Sequence, residues 1–222
     1  MDEKIVEIRE NLISLSKEAA DDDQPLRWFE ELYARADRNS IMIPWATLET
    51  NQVMLSWLEK HPIKGKVLIV GCGLGDDAIG LENLGWNVTA FDISSACIEW
   101  CRERFPESNV DWQVADMLNP PQNWIGNFDL VVEIHILQAI PSGGIREKGA
   151  EVLPKLLNSG GHLLCIGRLD DGRELEMTPP PWPLKRSWLE EQFQELKIVD
   201  FELFTKSASP DTPRFVASWV RI

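Results

Sequence analysis

The chain has little positive charge, few cysteines and no long apolar run. It carries 22 lysines and arginines against 36 acids, a net charge of −14. Such a surface repels phosphate backbones and anionic membranes, so we expect neither a nucleic acid nor a membrane as a partner. The four cysteines in 222 residues form no Cys-x-x-Cys pair, and we expect reduced thiols rather than a disulfide framework. No apolar stretch approaches the roughly 20 residues that cross a bilayer, and the acidic start differs from a signal peptide, so we expect a cytoplasmic protein.

The first 62 residues predict a helical extension. Apolar residues recur at helical spacing over 4–19 and again through Trp28, Phe29, Leu32 and Tyr33, and a third helix is predicted over about 49–60. We predict that residues 1–62 form a helical N-terminal extension and that residues 63–222 form the main body of a single structural domain. Ten tryptophans against one tyrosine suggest that some of the rings line a pocket.

From Lys66 onward, short apolar strands alternate with helical segments. This alternation predicts a mostly parallel α/β sheet with helices on both faces. The last two strands follow one another without a helix between them and predict an antiparallel hairpin, which makes seven strands. The predicted strands are VLIV, WNVTAFD, NVDWQVAD, FDLVVE, HLLCIGR, KIVDFELF and RFVASWV. Either Ser94 or Ser95 is expected to cap the helix after the second strand.

A glycine-rich loop follows the first strand in the sequence KVLIVGCGLGDD. Gly71 and Gly73 match the first two positions of the dinucleotide fingerprint Gly-x-Gly-x-x-Gly, but Asp76 occupies the third and glycine occurs instead at Gly75. Two carboxylates at the start of the following helix occupy the place where a pyrophosphate needs free amides. The loop therefore disfavours a dinucleotide, and no P-loop motif is present.

Acids also follow the next two strands. Asp92, 21 positions beyond Gly71, can accept hydrogen bonds from both hydroxyls of a ribose. Asp116 and Met117 end the third strand, where an acid and a polarizable side chain suit an adenine amino group and its ring face. A ribose site and an adenine site without a phosphate site describe a nucleoside that carries a cation, and S-adenosylmethionine (SAM) is such a ligand.

The quoted segments resemble a known family. VLIVGCGLGDDAIGLENLGWNVTAFDISSACI is similar to the opening of class I SAM-dependent methyltransferases, and VDWQVADML, FDLVVE and LPKLLNSGGHLL resemble its later segments in order. GCGLGDDA, ILQAIPSGGIR and PPPWPL resemble the small-molecule branch that includes thiopurine S-methyltransferase and the tellurite-resistance methyltransferases. The resemblance covers about 66–167 and implies a Rossmann-like fold, SAM as cofactor, and a small acceptor such as a thiol or another soft nucleophile.

The loop, the strand ends and the resemblance together give a list of candidate site residues. We expect the cofactor to be bound by Gly71, Cys72, Gly73, Gly75, Asp77, Asp92, Ile93, Asp116, Met117 and Glu133, with Trp45 from the extension. Many class I enzymes carry an acid where this chain has Ile69. Contacts to the methionine amino group are therefore expected from Asp77, Glu133 or main-chain carbonyls.

The acceptor side is less defined by the sequence. His135 follows the fourth strand, where it could act as a general base or pack beneath the next helix. Trp28 and Trp182 are candidates for binding the acceptor, because the extension and the 170–183 loop are expected to cover the cleft. Cys97 and Cys101 share a helix face, where packing is favoured over metal binding, and we expect no metal site.

Two other functions compete with methyl transfer. An NAD(P)-dependent oxidoreductase requires glycine at position 76 or a basic pocket, and the sequence has neither. A SAM-binding protein without methyltransferase activity remains open, because an acceptor site has no fixed sequence pattern. After the fourth strand the chain reads Glu133-Ile-His-Ile rather than Asn/Asp-Pro-Pro-aromatic, which points away from methylation of nucleic-acid bases.

Overall fold

The computed structural model describes Ser14 and residues 26–173, 180–207 and 209–222. It confirms the expected seven-stranded, mostly parallel sheet with an antiparallel hairpin at its end. The strands are β1 (Lys66–Val70), β2 (Asn87–Asp92), β3 (Asp111–Val114), β4 (Phe128–Ile134), β5 (Leu157–Arg168), β6 (Lys197–Lys206) and β7 (Ser209–Val220). The helices are α1 (Arg27–Ala36), α2 (Gln52–Lys60), α3 (Asp76–Asn83), α4 (Ser95–Arg104), α5 (Ile145–Leu156) and α6 (Arg186–Gln192). The helix predicted over 4–19 lies outside the described residues.

The strand order sets the position of the ligand crevice. The sheet runs β3-β2-β1-β4-β5-β7-β6, so the chain moves outward from β1 to β3 and then crosses back to place β4 on the other side of β1. In an open parallel sheet a ligand binds beyond the carboxyl ends of the strands, at the point where the order reverses. Here that point lies above the ends of β1 and β4.

Helices cover both faces of the sheet, as the strand–helix alternation predicts. On one face Trp57 of α2 and Leu81 of α3 pack against alternate residues of β1 and β4. On the other face Leu153 of α5 and Leu189 of α6 pack against the remaining alternate residues. The central strands are therefore apolar on both sides, which explains their unbroken hydrophobic runs in the sequence.

The capping prediction holds, but two strands begin well before their predicted first residues. The Ser94 side chain accepts a hydrogen bond from Cys97 N at 3.0 Å, so Ser94 rather than Ser95 caps α4. Strand β7 begins at Ser209 instead of Arg214, and β5 begins at Leu157 instead of His162. Leu157 pairs with Phe128 before an irregularity in the ladder, so residues that read as a turn belong to the strand.

Helix α1 is attached to α4 beside the crevice. Glu30 accepts hydrogen bonds from the Ser95 hydroxyl at 3.0 Å and from Ala96 N at 3.3 Å. Arg38, just after α1, forms an ion pair with Glu103. These contacts hold the start of α1 at the carboxyl edge of the sheet. Within the described residues no helix has the length and apolar character that crossing a membrane requires.

Candidate active site

The glycine loop adopts a backbone that only glycine accommodates easily. Gly71 and Gly75 have φ values of 60° and 88°, in the left-handed region. A methyl group on Gly71 would collide with the Ile136 side chain, and one on Gly75 would lie 2.6 Å from the Trp112 ring. The loop is therefore confined between the β4–α5 connection on one side and β3 on the other.

Asp92 is a buried carboxylate at the end of β2. It is 6% exposed, and its oxygens accept hydrogen bonds from Gly73 N at 3.3 Å and from Ser94 N at 3.0 Å. Burial raises the pKa of Asp92 to about 6, although the two main-chain bonds oppose this change. The carboxylate thus joins the glycine loop to the start of α4 and has oxygen lone pairs available for donors from a ligand.

A cleft opens directly above these residues. Five of the predicted cofactor residues line it: Gly71, Asp92, Ile93, Asp116 and Met117. The Asp116 Oδ1 atom accepts a hydrogen bond from Leu118 N at 2.8 Å, which fixes the turn after β3. The remaining wall is apolar and is formed by Leu26, Phe29, Val70, Phe91, Ala115, Leu118, Ile136 and Ile140. An apolar cleft with two carboxylates suits a flat base joined to a hydroxylated sugar.

The other two predicted acids, Asp77 and Glu133, do not line this cleft. Asp77 Oδ1 accepts a hydrogen bond from Asn51 N at 2.7 Å, and Glu133 Oε1 accepts one from Leu137 N at 3.0 Å. Burial raises the pKa of Asp77 to about 6 and that of Glu133 to about 7. Glu133 is 1% exposed, so its side chain does not face solvent.

Asp76, at the third position of the dinucleotide fingerprint, is already paired. Its carboxylate forms two hydrogen bonds with the Arg104 guanidinium, at 2.8 and 3.0 Å. A bidentate pair of this kind ties α3 to α4 and leaves neither group available for a ligand phosphate.

Three buried cysteine thiols surround one carbonyl of the glycine loop. Cys97 Sγ and Cys101 Sγ donate to Gly73 O at 2.9 and 3.0 Å, and Cys72 Sγ lies 3.7 Å from the same oxygen. Burial raises the pKa of the Cys97 thiol, which therefore keeps the proton that it donates. Cys72 therefore packs beneath the loop and does not line the cleft.

The N-terminal segment contributes an aromatic cluster above Gly73. Trp45 Nε1 donates to the Tyr33 hydroxyl at 3.1 Å, and both side chains would lie within 4 Å of a methyl group placed on Gly73. Trp28 stacks on Phe29 with ring centroids 3.9 Å apart. Trp28 is only 2% exposed, so it belongs to the interior of the cluster, and Phe29 is the ring that lines the cleft instead.

His135 is held in one orientation at the end of β4. Its φ is 64°, unusual for a residue with a side chain, and its N–H donates to Ile166 O at 3.0 Å. The Gln138 side chain pairs with the Arg168 main chain, since Oε1 accepts from Arg168 N and Nε2 donates to Arg168 O. The same Oε1 lies 2.8 Å from His135 Nδ1, so Nδ1 must carry the proton.

The neutral histidine therefore presents Nε2 as a hydrogen-bond acceptor. Burial lowers the pKa of His135 to about 4, and the nearby cations Arg168, Lys206 and Arg214 lower it further, against the bond to Gln138. Trp182 lies on the same side of the sheet edge as His135, and its main-chain N–H donates to Gln138 O at 2.8 Å. The Arg146 guanidinium lies 5.7 Å from the Trp182 ring. Met177, a neighbour of Trp182 in the same predicted loop, lies outside the described residues.

Three structural features of this site were not predicted from the sequence. Helical periodicity places Trp28 and Phe29 on the same helix but cannot decide which ring faces the cleft. Gln138 has no local signal, because its role depends on the pairing of β4 with β5. Ile136 could have been suspected from its place directly after His135.

Comparison with known proteins shows which family the sequence resembles. Residues 67–161 match the family described as "Methyltransferase domain". This segment is a methyltransferase domain, similar to those of class I SAM-dependent methyltransferases. The matched segment runs from β1 into β5 and contains the glycine loop, Asp92, Asp116 and His135.

Several relatives of this methyltransferase are themselves named as methyltransferases. The chain is 25% identical to "Probable thiol methyltransferase 2" of Arabidopsis thaliana, over 72% of this chain and 73% of that protein. It is 36% identical to "Ribosomal RNA small subunit methyltransferase C" of Serratia proteamaculans, over 37% of this chain and 24% of that protein. It is 35% identical to "Magnesium-protoporphyrin O-methyltransferase" of Rhodobacter capsulatus, over 38% of each. The chain thus spans less than half the length of the latter two.

Solved structures share the same fold. TehB from Haemophilus influenzae superposes with a TM-score of 0.64 over 83% of this methyltransferase and 67% of that chain, at 15% identity. The "[4+2]-Cyclase SpnF" superposes with a TM-score of 0.63 over 77% of this chain and 80% of the other, at 14% identity. A fold that also occurs in a cyclase does not define the acceptor, which has to be argued from the site.

Proposed function

We propose that this methyltransferase transfers the methyl group of SAM to a small molecule, a thiol or another soft nucleophile. The observation that carries the proposal is the apolar cleft with buried Asp92 at the carboxyl edge of the sheet. The thiol methyltransferase of Arabidopsis thaliana, which the chain matches over 73% of that relative's length, supports a sulfur acceptor. The net charge of −14 favours a small molecule over a nucleic acid.

The residues of the cleft fit SAM. Asp92 accepts hydrogen bonds from the ribose hydroxyls, Asp116 accepts one from the adenine amino group, and Met117 and Ile93 contact the ring. Gly71, Gly73 and Trp45 would hold the methionine portion. Main-chain carbonyls would accept hydrogen bonds from its amino group, because Asp77 and Glu133 lie outside the cleft. Acidic and aromatic neighbours also favour the positive sulfonium.

The chain promotes the reaction chiefly by alignment. SAM supplies an electrophilic methyl group, and transfer is an in-line displacement that needs the acceptor atom held behind that methyl carbon. His135 Nε2 accepts a hydrogen bond from the acceptor and so orients its nucleophilic atom. We further propose that residues 1–62, as a lid, and the 170–183 loop exclude water from the sulfonium, with Trp45 over the cofactor and Trp182 beside the acceptor.

Turnover of SAM tests this function. Purified protein is incubated with SAM and a panel of small thiols, and formation of S-adenosylhomocysteine (SAH) is followed. We expect SAH and a methylated thioether in equal amounts. NADH serves as the control ligand in thermal melting: SAM and SAH should raise the melting temperature and NADH should not. SAM binding without turnover of any acceptor in a metabolite extract would instead support a binding protein.

Replacement of His135 tests its role directly. We expect His135→Ala to reduce kcat for weakly acidic aliphatic thiols by about tenfold, because a thiol that keeps its proton loses the S–H···Nε2 hydrogen bond. Affinity for SAH should stay unchanged, because His135 lies outside the cleft that Asp92 lines. More acidic aromatic thiols, which ionise without help, should lose less activity. Equal loss for both classes of thiol would assign His135 to packing alone.

A further inference from the structure

A group of cations meets at the carboxyl edge of the sheet, on the side away from the cleft. Arg168 ends β5, and Arg214 lies directly opposite it on the antiparallel strand β7. Lys206 ends β6, which is also antiparallel to β7 and therefore ends at the same edge. All three cations act on His135, the residue that follows β4. We call Arg168, Lys206 and Arg214 the cationic cluster.

Arg214 is buried, and no described residue supplies a counter-charge to it. It is 7% exposed, its Nη2 donates to the Ser209 hydroxyl at 3.1 Å, and its Nε is buried without a hydrogen-bond partner. No carboxylate among the described residues forms an ion pair with it. Buried arginines are rare unless paired, because removing a guanidinium from water is unfavourable. Burial also lowers the pKa of Arg214, in line with that cost.

Arg168 and Lys206 place further positive charge beside Arg214. Arg168 and Arg214 are a cross-strand pair, and like charges in such positions destabilise a sheet. Burial lowers the pKa of Lys206, both arginines lower it further, and Asp77 is the carboxylate that acts in the opposite direction. Asp77 is itself engaged by Asn51 N. In a chain with a net charge of −14, such a concentration of cations indicates a specific anionic ligand.

We propose that the methyl acceptor is a small organic anion whose carboxylate, or an equivalent acidic group, is bound by Arg214 and Lys206 beside His135. The proposal rests on the proposed methyl transfer and adds to it the charge of the acceptor. The guanidinium fork of Arg214 matches a carboxylate, and Lys206 supplies a second charge from the rim. The cluster also lowers the pKa of an acceptor thiol, so the thiolate is present at neutral pH.

The transfer step then balances without a strong base. The thiol loses its proton to solvent, the thiolate sulfur forms a bond to the methyl carbon, and the sulfonium C–S bond breaks. A methyl thioether, which keeps its carboxylate, and SAH, whose sulfur is now neutral, are released. His135, whose pKa is about 4, stays neutral throughout. Its Nε2 accepts a hydrogen bond from the S–H group and so orients the thiol before the proton leaves.

The cationic cluster has two candidate carboxylates to bind: that of the acceptor and the methionine carboxylate of SAM. The cleft lies above β1, β2 and β3, whereas the cluster lies on β5, β6 and β7, beyond β4. This separation favours the acceptor as the source, and the two sources predict different results on mutation. Loss of SAH affinity marks the cofactor carboxylate, and loss of acceptor affinity alone marks the acceptor.

Calorimetry with benzoate as the anionic probe tests the proposal. Benzoate, and benzamide as its neutral counterpart, are titrated into the full-length protein with and without saturating SAH. The variants are Arg214→Gln, Arg214→Lys and Lys206→Gln. Lys197→Gln is the matched control, because Lys197 is exposed and lies at the opposite end of β6, about 30 Å away. Lys206 is also exposed, so its variant is expected to fold even if Arg214→Gln does not.

We expect benzoate to bind and benzamide not to bind. Arg214→Gln and Lys206→Gln should each weaken benzoate at least tenfold, Arg214→Lys should retain part of the affinity, and Lys197→Gln should match the wild type. SAH affinity should not change. In turnover assays, the KM for 3-mercaptobenzoate should rise at least tenfold in Arg214→Gln and in Lys206→Gln. The KM for thiophenol should not change in either variant.

Three results would overturn the proposal. They are equal binding of benzoate and benzamide, unchanged benzoate affinity in Lys206→Gln, and a loss of SAH affinity as large as the loss of benzoate affinity. Failure of SAH to bind the wild-type protein would contradict the proposed function instead. Benzoate titration without SAH would still decide whether the anion site exists.

Discussion

Replacing Asp92 by Asn should weaken SAH binding by roughly 30- to 1000-fold, the equivalent of about 2–4 kcal/mol for two charge-assisted hydrogen bonds. The ribose hydroxyls would lose a charged acceptor, whereas the amide keeps the shape of the side chain and one oxygen. Isothermal titration calorimetry with SAH measures the change. The melting temperature of the unliganded variant should fall by only about 2–4 °C, because the amide keeps one of the two oxygens that accept from Gly73 N and Ser94 N, and one lost hydrogen bond is worth about 1 kcal/mol.

A matched carboxylate on the next strand controls for the loss of charge. Asp111 is exposed at the start of β3, and Asp111→Asn should leave SAH affinity unchanged. If Asp92→Asn bound SAH as well as the wild type, the role of Asp92 would be structural only: it would accept hydrogen bonds from Gly73 N and Ser94 N.

The same carboxylate predicts the pH dependence of binding. Because the pKa of Asp92 is raised from its ordinary value to about 6, the folded protein takes up its proton more readily than the unfolded chain. Its contribution to stability is therefore greatest at low pH and is lost as pH rises towards 6. Ribose hydroxyls favour the ionised form, so SAH affinity should fall as pH drops below 6. Calorimetry between pH 5 and 8 should show this fall in the wild type and not in Asp92→Asn.

Replacing two tryptophans of the N-terminal segment by alanine should have different effects: Trp28→Ala should mainly lower stability, and Trp45→Ala should mainly lower turnover. Trp28→Ala should lower the free energy of unfolding by about 3 kcal/mol, because its ring is 2% exposed and stacks on Phe29. Trp45→Ala should cost less than about 1.5 kcal/mol, since Trp45 is 40% exposed. We expect Trp45→Ala to reduce turnover at least tenfold, because its ring lies against Gly73. Urea denaturation and SAH formation measure the two effects.

A distant tryptophan gives the control for this pair. Trp188, half-buried on α6, should tolerate Trp188→Ala with wild-type turnover. Trp182→Ala should lower turnover while SAH affinity persists, since Trp182 contacts Gln138 rather than the cleft. Full activity in both Trp45→Ala and Trp182→Ala would contradict the proposed lid and leave these segments a structural role.

The sequence by itself determined the structural features that depend on residues close together in the chain. The alternation of apolar strands with helices fixed the parallel sheet and its terminal hairpin, because hydrophobic periodicity is a local property. Spacing alone brought Gly71, Asp92 and Asp116 to one cleft, since the carboxyl ends of parallel strands share an edge. The assignment of these residues to SAM contacts stays a prediction, as does the lid.

Only the tertiary structure decided contacts between residues far apart in the chain. It selected Phe29 over Trp28 as a wall of the cleft, because the docking of α1 on α4 sets the rotation of that helix. It also brought Arg168, Lys206 and Arg214 together beside His135, through the registers of β5, β6 and β7. The sequence lists these cations without linking them, because strand pairing and register are set by the packing of the whole sheet.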